Sequence, residues 1–300
     1  MDKAQPHYIS VFPYSLSKDG KGGNPATIFL NADDLTPEEM RQLATKAGHE
    51  CGFVLSNAKT EHPDCHLVMK YWVPNHEMEM CGHATVGAVW VMDQLGLLPA
   101  VDRIRISTLS GIVDAQIVKN GSDTSVLVSQ PTGTVENIPD DLAAQVLSCL
   151  GISSSELAPA RTVQNGKTSR TKTLIPIKDQ SVLDRLSPDP AAVQSICEKI
   201  GSTGLYPYAV LDQDAQLVEA RQFPRSSGYD EDPATGIAAA ALTYGLISSG
   251  VISAGTVQPV VVRQGWSMGQ PSEIFVSLRH DEGAEGCWIS GKVVWSASHA

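Results

Sequence analysis

The chain has 300 residues, 42% hydrophobic and 18% charged, enough apolar material for one large globular core or two of ordinary size. Its formal net charge of −11 comes from acids scattered along the sequence, which argues against nucleic acid and anionic membranes as partners, because both require basic patches. A small anionic substrate is not excluded, since a few local donors can override the overall charge.

The opening Met1-Asp2-Lys3-Ala4-Gln5-Pro6 lacks the apolar core of a signal peptide, and the longest apolar stretches, such as Ala238–Leu242, are far shorter than a membrane span. Cys51, Cys65, Cys81, Cys149, Cys197 and Cys287 form no CxxC pair, so reduced thiols in the cytoplasm are expected. The glycines of Lys21-Gly22-Gly23-Asn24-Pro25 lack the spacing of a phosphate-binding loop and read as a tight turn. A helix is expected over Thr36–Ala47, with Thr36 as N-cap, Pro37 first and Glu39 closing a capping box.

Strands are expected at Cys65–Val73, Arg103–Leu109, Ile112–Val118, Ser125–Ser129, Tyr208–Leu211, Gln216–Phe223, Val257–Arg263, Glu273–Leu278 and Trp288–Trp295, where β-branched and aromatic residues recur between turn signals. Pro139–Leu150 and Pro190–Ile200 read as amphipathic helices. Two further helices, His83–Leu95 and Thr235–Ser248, are apolar nearly all round and rich in small residues, which demands burial on every side.

Strands dominating over two buried helices point to an α+β fold of two sheets, each wrapped like a barrel around its own central helix. A weak internal repeat supports this. KYWVPNHEMEMCGHATVGA (Lys70–Ala88) and ARQFPRSSGYDEDPATGIAA (Ala220–Ala239) share a strand, a proline, an acidic turn and a glycine-containing helix start. The expected domains are 1–129, completed by a strand near 288–300, and 130–287, related by a pseudo-twofold axis and joined through Gln130–Thr134.

The two helix starts carry the candidate chemistry. The first N–H groups of a helix have no internal partners and sit at the positive end of its dipole, so Cys81-Gly82-His83-Ala84-Thr85 and Asp232-Pro233-Ala234-Thr235-Gly236 are suited to cradle a carboxylate between the domains. Asp232 could instead serve only as a helix cap, and His83 only as a structural histidine. Glu50, in His49-Glu50-Cys51-Gly52-Phe53, interrupts an apolar stretch and needs a partner or a function. If Glu50 and Asp232 share a desolvated site, burial and repulsion raise at least one pKa toward the neutral range a carboxyl acid/base catalyst needs. The segment His76-Glu77-Met78-Glu79-Met80 is not HExxH, so no metal site is expected. Cys81 is either a thiol at a helix start, where thiolates are favoured, or a buried structural cysteine.

In combination, several segments resemble the phenazine-biosynthesis-like isomerase family, which shares its fold with diaminopimelate epimerase. They are Gly23-Asn24-Pro25-Ala26-Thr27, Glu50 followed by Phe53, Pro74 leading to Cys81-Gly82-His83-Ala84, Phe223-Pro224, Glu231 to Gly236, Gln264-Gly265, Met268-Gly269 and Pro271-Ser272. The resemblance spans nearly the whole chain. It implies two barrel-like domains with the active site in the cleft between them, no metal or organic cofactor, and a homodimer. It also implies that Glu50 is the acid/base that moves a proton on a small carboxylate-bearing substrate, with His83 and Asp232 assisting. Asn24, His49, Cys81, Gly82, Ala84, Thr235, Gly236 and Ile237 are expected to contact that substrate.

Two positions depart from the family pattern. Ile237 stands where the phenazine branch has serine, and Gln270 where arginine is usual, which implies a different or more apolar substrate. The epimerase branch uses a cysteine at each helix start. Cys81 matches the first, but Ile237 and Ala238 supply no second thiol, so a two-thiol racemase is not expected. The competing readings are an epimerase or lyase that starts from the same proton abstraction, and a catalytically silent binding protein of the same fold.

Overall fold

A computed structural model describes residues 4–14, 22–56, 63–121, 123–280 and 285–296. The chain splits into two compact units, Met1–Ser129 with Ser290–Ala300, and Gln130–Ile289.

In the first unit, β1 (Pro6–Val11) pairs antiparallel with β2 (Asn24–Phe29), which runs parallel to β3 (Cys51–Leu55). Strand β3 is antiparallel to β4 (Leu67–Trp72), and β4 is parallel to β6 (Ile104–Thr108) and also meets the short β5 (Glu77–Met78). Antiparallel β7 (Gly111–Asn120) and β8 (Asp123–Gln130) extend the sheet, while β18 (Val293–Trp295) returns from the far end of the sequence to pair with β1.

Parallel neighbours cannot be joined by a tight turn, so each such pair requires a crossover. Helix α1 (Pro37–Ala47) connects β2 to β3, and α2 (Gly82–Gln94) lies between β4 and β6. The capping box of α1 forms as expected: Thr36 Oγ1 accepts from the Glu39 N–H at 3.3 Å, and Glu39 accepts from the Thr36 N–H at 2.8 Å.

The same plan recurs in the second unit. Strand β9 (Thr134–Asn137) borders β10 (Gln164–Lys167). From β10 the order is β11 (Thr171–Pro176, antiparallel), β12 (Gly204–Asp212, parallel) and β13 (Leu217–Ala220, antiparallel). Then come β15 (Val260–Gln264, parallel) and β16 (Ser272–Leu278, antiparallel). Helices α4 (Gln180–Asp184) and α5 (Pro190–Lys199) cross from β11 to β12, and α6 (Gly236–Ser248) lies between β13 and β15, where α2 lies in the first unit. Helix α3 (Asp140–Cys149) packs with α5 into a cluster that includes Val146, Leu147, Ile175, Val193, Ile196 and Leu205.

Helices α2 and α6 are buried nearly end to end, as their all-round apolar composition requires. Small residues let the helix backbone approach the sheet: a Cβ on Gly87 of α2 would meet Ile9 Cδ1 of β1 at 2.2 Å. Helix α1 covers the other face of the first sheet through Met40 and Ala44, packed with Cys51, Phe53, Phe29 and Trp72. Strand β3 is thus enclosed on both faces, which is why it reads as an uninterrupted apolar run.

Two expected strands are each broken in the structure. Gln216–Phe223 becomes β13 and β14 (Phe223–Pro224), because Gln222 leaves the ladder to bridge with Asp232. Trp288–Trp295 becomes β17 (Cys287–Gly291) and β18, separated by Lys292, whose carbonyl accepts from the Phe12 N–H at 2.7 Å. Among the described residues, no helix is long and apolar enough to cross a membrane.

Candidate active site

Alternation along β3 decides where Glu50 points. Cys51 and Phe53 face α1, whereas a Cβ on Gly52 would meet Ala84 of α2 at 3.5 Å. A residue two positions before Gly52 shares its face, so Glu50 is directed at the start of α2. There its Oε2 lies 3.9 Å from His83 Nε2, and Glu50 and His83 are only 5% and 4% exposed. His49, half-buried, meets the Thr27 hydroxyl of β2 through Nε2 at 2.9 Å, and buried Asn24 opens the same strand.

Cys81 is the N-cap of α2, and its side chain makes no cap hydrogen bond. Its Sγ is 3.4 Å from His83 Nδ1 and 4.0 Å from Nε2. The turn is held from behind, where the Thr85 hydroxyl donates to the Cys81 carbonyl at 2.7 Å and meets the Tyr71 hydroxyl at 2.6 Å. Burial holds that tyrosine hydroxyl protonated far above its usual range. Gly82 and Ala84 are likewise buried in the first turn. The expected residues Asn24, His49, Glu50, Cys81, Gly82, His83 and Ala84 therefore all belong to the first unit.

Spacing gave no metal-ligand set around His76 and Cys81. The structure groups Cys81 with Glu50 and His83 instead, one potential donor atom of each lying within 4.8 Å of the others. Sequence spacing could not show this, because Glu50 arrives from a different strand.

Asp232, Thr235, Gly236 and Ile237 belong to the second unit. Asp232 is 6% exposed, and its N–H donates to the Gln222 carbonyl at 3.0 Å. It is not the helix cap: Thr235 holds that position without a side-chain cap bond, and the Thr235 hydroxyl donates to the Asp232 carboxylate. Gln264 organises the turn. Its amide donates to the Asp232 carbonyl at 2.6 Å and the Thr235 hydroxyl at 3.1 Å, while its Oε1 accepts from the Thr235 N–H at 3.3 Å and the Tyr206 hydroxyl at 2.9 Å. Burial, and after it the Asp232 charge, keep the Tyr206 hydroxyl protonated. Gly265, at φ +80°, fits where a Cβ would strike the Gln270 carbonyl at 2.2 Å.

One residue before Asp232, Glu231 is gripped by Arg221 through Nε and Nη2 at 2.8 and 2.7 Å. Arg221 also donates to the carbonyls of Leu183 and Leu186 at 3.0 and 2.8 Å. Sequence reasoning singled out neither Arg221 nor Tyr206. A charged side chain within an expected strand was the available signal for Arg221, blurred by Glu219 and Gln222 in the same segment.

Other thiols are removed from chemistry. Burial, followed by the adjacent Glu50 charge, pushes the Cys51 thiol up to about 12 from its ordinary 9.0, and burial does the same to Cys197 and Cys287. A raised folded-state value means that stability is fully present below about pH 9 and is lost as pH climbs toward 12. Each thiol is expected to withdraw about 1.4 kcal/mol per pH unit across that window. Urea titrations at several pH values would check this: Cys197→Ala should flatten the alkaline decline by about that slope, and an unchanged slope would contradict it.

A family model described as "Phenazine biosynthesis-like protein" matches residues 15–299. The chain belongs to this family, and its fold is the mixed α+β fold of the diaminopimelate epimerase-like class. It is similar to the uncharacterized isomerase YddE of Escherichia coli K12, at 30% identity over 97% of this chain and 96% of the relative. It is also similar to the trans-2,3-dihydro-3-hydroxyanthranilate isomerase of Pseudomonas fluorescens, at 29% identity over 84% of each. The crystal structure of a phenazine biosynthesis protein of Bacillus anthracis superposes with a TM-score of 0.82 at 25% identity, covering 99% of this chain and 98% of that one.

Proposed function

We propose that this chain is a cofactor-independent, cytoplasmic, homodimeric isomerase that moves a proton, and with it a double bond, on a small carboxylate-bearing, amino-acid-like metabolite. The observation that carries the reading is a buried carboxylate, Glu50, aimed at a buried imidazole, His83, in the first turn of α2. At both α2 and α6 the N-cap residue makes no side-chain cap bond and the first turn carries no acid, which suits a carboxylate substrate.

In this reading Glu50 takes a proton from carbon. The released electron pair becomes a new C=C bond, the existing double bond shifts, and its far carbon receives a proton from the protonated Glu50. His83 binds and polarises the substrate, and Asp232 holds its amine, its backbone fixed by Gln264 and Gln222. The further substrate contacts of this reading are Asn24, His49, Cys81, Gly82 and Ala84 in the first unit and Thr235, Gly236 and the apolar Ile237 in the second. Epimerisation is the second reading, favoured by the Cys81 sulfur beside His83, which supplies a second proton carrier.

Incubation in D2O with a panel of small unsaturated amino acids and related carboxylates tests the proposal. An isomerase places deuterium on the carbon that gains the proton, whereas an epimerase places it on the original carbon with inverted configuration. Exchange into none of the compounds that bind would overturn both.

A further inference from the structure

The arrangement of Glu50, Cys81 and His83 has a chemical meaning apart from proton transfer. A carboxylate oxygen, a thiol sulfur and an imidazole nitrogen come within 4.8 Å of one another, and all three residues are buried. Ligand atoms about 2.0–2.3 Å from a tetrahedral zinc ion stand roughly 3.3–3.8 Å apart. Here Cys81 Sγ lies 3.4 and 4.0 Å from the two His83 nitrogens, and His83 Nε2 lies 3.9 Å from Glu50 Oε2. Small side-chain rotations bring three donors onto one ion.

We propose that Glu50, Cys81 and His83 form a three-ligand site for Zn2+, and that occupancy switches the enzyme off. The mixed sulfur, nitrogen and oxygen set selects a borderline-soft ion over Mg2+ or Ca2+, which favour oxygen alone. Binding releases the thiol proton of Cys81 to solvent and forms a sulfur–zinc bond. The position of Cys81 at the start of α2 favours the thiolate this needs. A carboxylate plus a thiolate supply two negative charges, which offset the positive helix end that faces the cation. Once zinc holds the Glu50 lone pair and the His83 nitrogen, neither can exchange a proton with substrate. That inhibition rests on the function proposed above, whereas the binding rests on coordination geometry alone.

The test uses the full chain, treated with a chelator and then titrated with ZnCl2 in a calorimeter. One zinc per chain is expected. Cys81→Ser and His83→Asn should each weaken binding by more than about 100-fold, beyond the 10- to 100-fold that loss of an outer partner gives. Cysteine ligation is read independently with Co2+, whose thiolate-to-metal absorption in the near ultraviolet should appear in the parent and in Cys287→Ala and vanish in Cys81→Ser. Circular dichroism confirms that each variant is folded; should Cys81→Ser not fold, His83→Asn and the cobalt spectrum of the parent decide. Absence of stoichiometric binding, or binding unchanged in Cys81→Ser and His83→Asn, overturns the site. Deuterium exchange that needs added zinc overturns the inhibitory role. If the chelated protein exchanges nothing, the proposed function fails while the titration still decides the metal site.

Discussion

Replacing Glu50 with glutamine should leave substrate binding largely intact and lower turnover by at least about 100-fold, the usual scale for a general base. Glutamine keeps the volume and an acceptor oxygen but has no group that ionises at any accessible pH. At 5% exposure the position has little room for solvent to act in its place. In this reading His83, 3.9 Å from the Glu50 carboxylate and 3.4 Å from the Cys81 sulfur, binds the substrate and does not take over the proton transfer. The measurement separates kcat from KM: a fall in kcat with KM nearly constant is the signature of an interaction made during proton transfer. Wash-in of solvent deuterium should fall in parallel. Full activity in the glutamine variant would remove Glu50 from the chemistry.

The second large effect is on stability. Arg221→Met is expected to destabilise the protein by about 3–5 kcal/mol, the range for breaking a buried ion pair from one side. The Arg221 guanidinium is nearly enclosed, its side chain 9% exposed against 13% for that of Glu231. Methionine fills much of the space but leaves a carboxylate without its cation and removes the Arg221 donor from the carbonyls of Leu183 and Leu186. Contact with the Phe223 ring, 4.9 Å from the guanidinium carbon, is lost as well. Lysine should recover only part, since a single ammonium cannot reproduce the two-pronged grip on Glu231 and reach both carbonyls. Adding Glu231→Gln to Arg221→Met should restore some stability by removing the stranded charge. Chemical denaturation measures all of these, and a loss below about 1 kcal/mol in the methionine variant would place this pair among weak surface bridges.

Composition made the two central helices legible. Small apolar residues on every side of His83–Leu95 and Thr235–Ser248 demand full burial, and the observed helices begin at Gly82 and Gly236. Local chemistry made α1 legible through its capping box. Strand β10, by contrast, reads Gln-Asn-Gly-Lys and has no strand signal of its own; it is a strand because β9 and β11 flank it. His83 and Asp232 could be singled out because they stand at the starts of buried helices, and Glu50 because it interrupts the apolar stretch that becomes β3. The supports behind them could not, because the Tyr206–Gln264 bond joins residues 58 positions apart and periodicity carries no information at that range.

The return of β18 to β1 sets an order of events during synthesis. The first unit begins the chain, yet its β1 edge gains a hydrogen-bonded neighbour only when Val293–Trp295 emerges, after all of Gln130–Ile289 has been translated. On the ribosome the second unit has every one of its strands before the first does. Until then, β1 presents an open edge of the kind that recruits foreign strands. The nascent chain therefore completes its inserted half before the half that flanks it, and the β1 edge stays open while the second unit is translated.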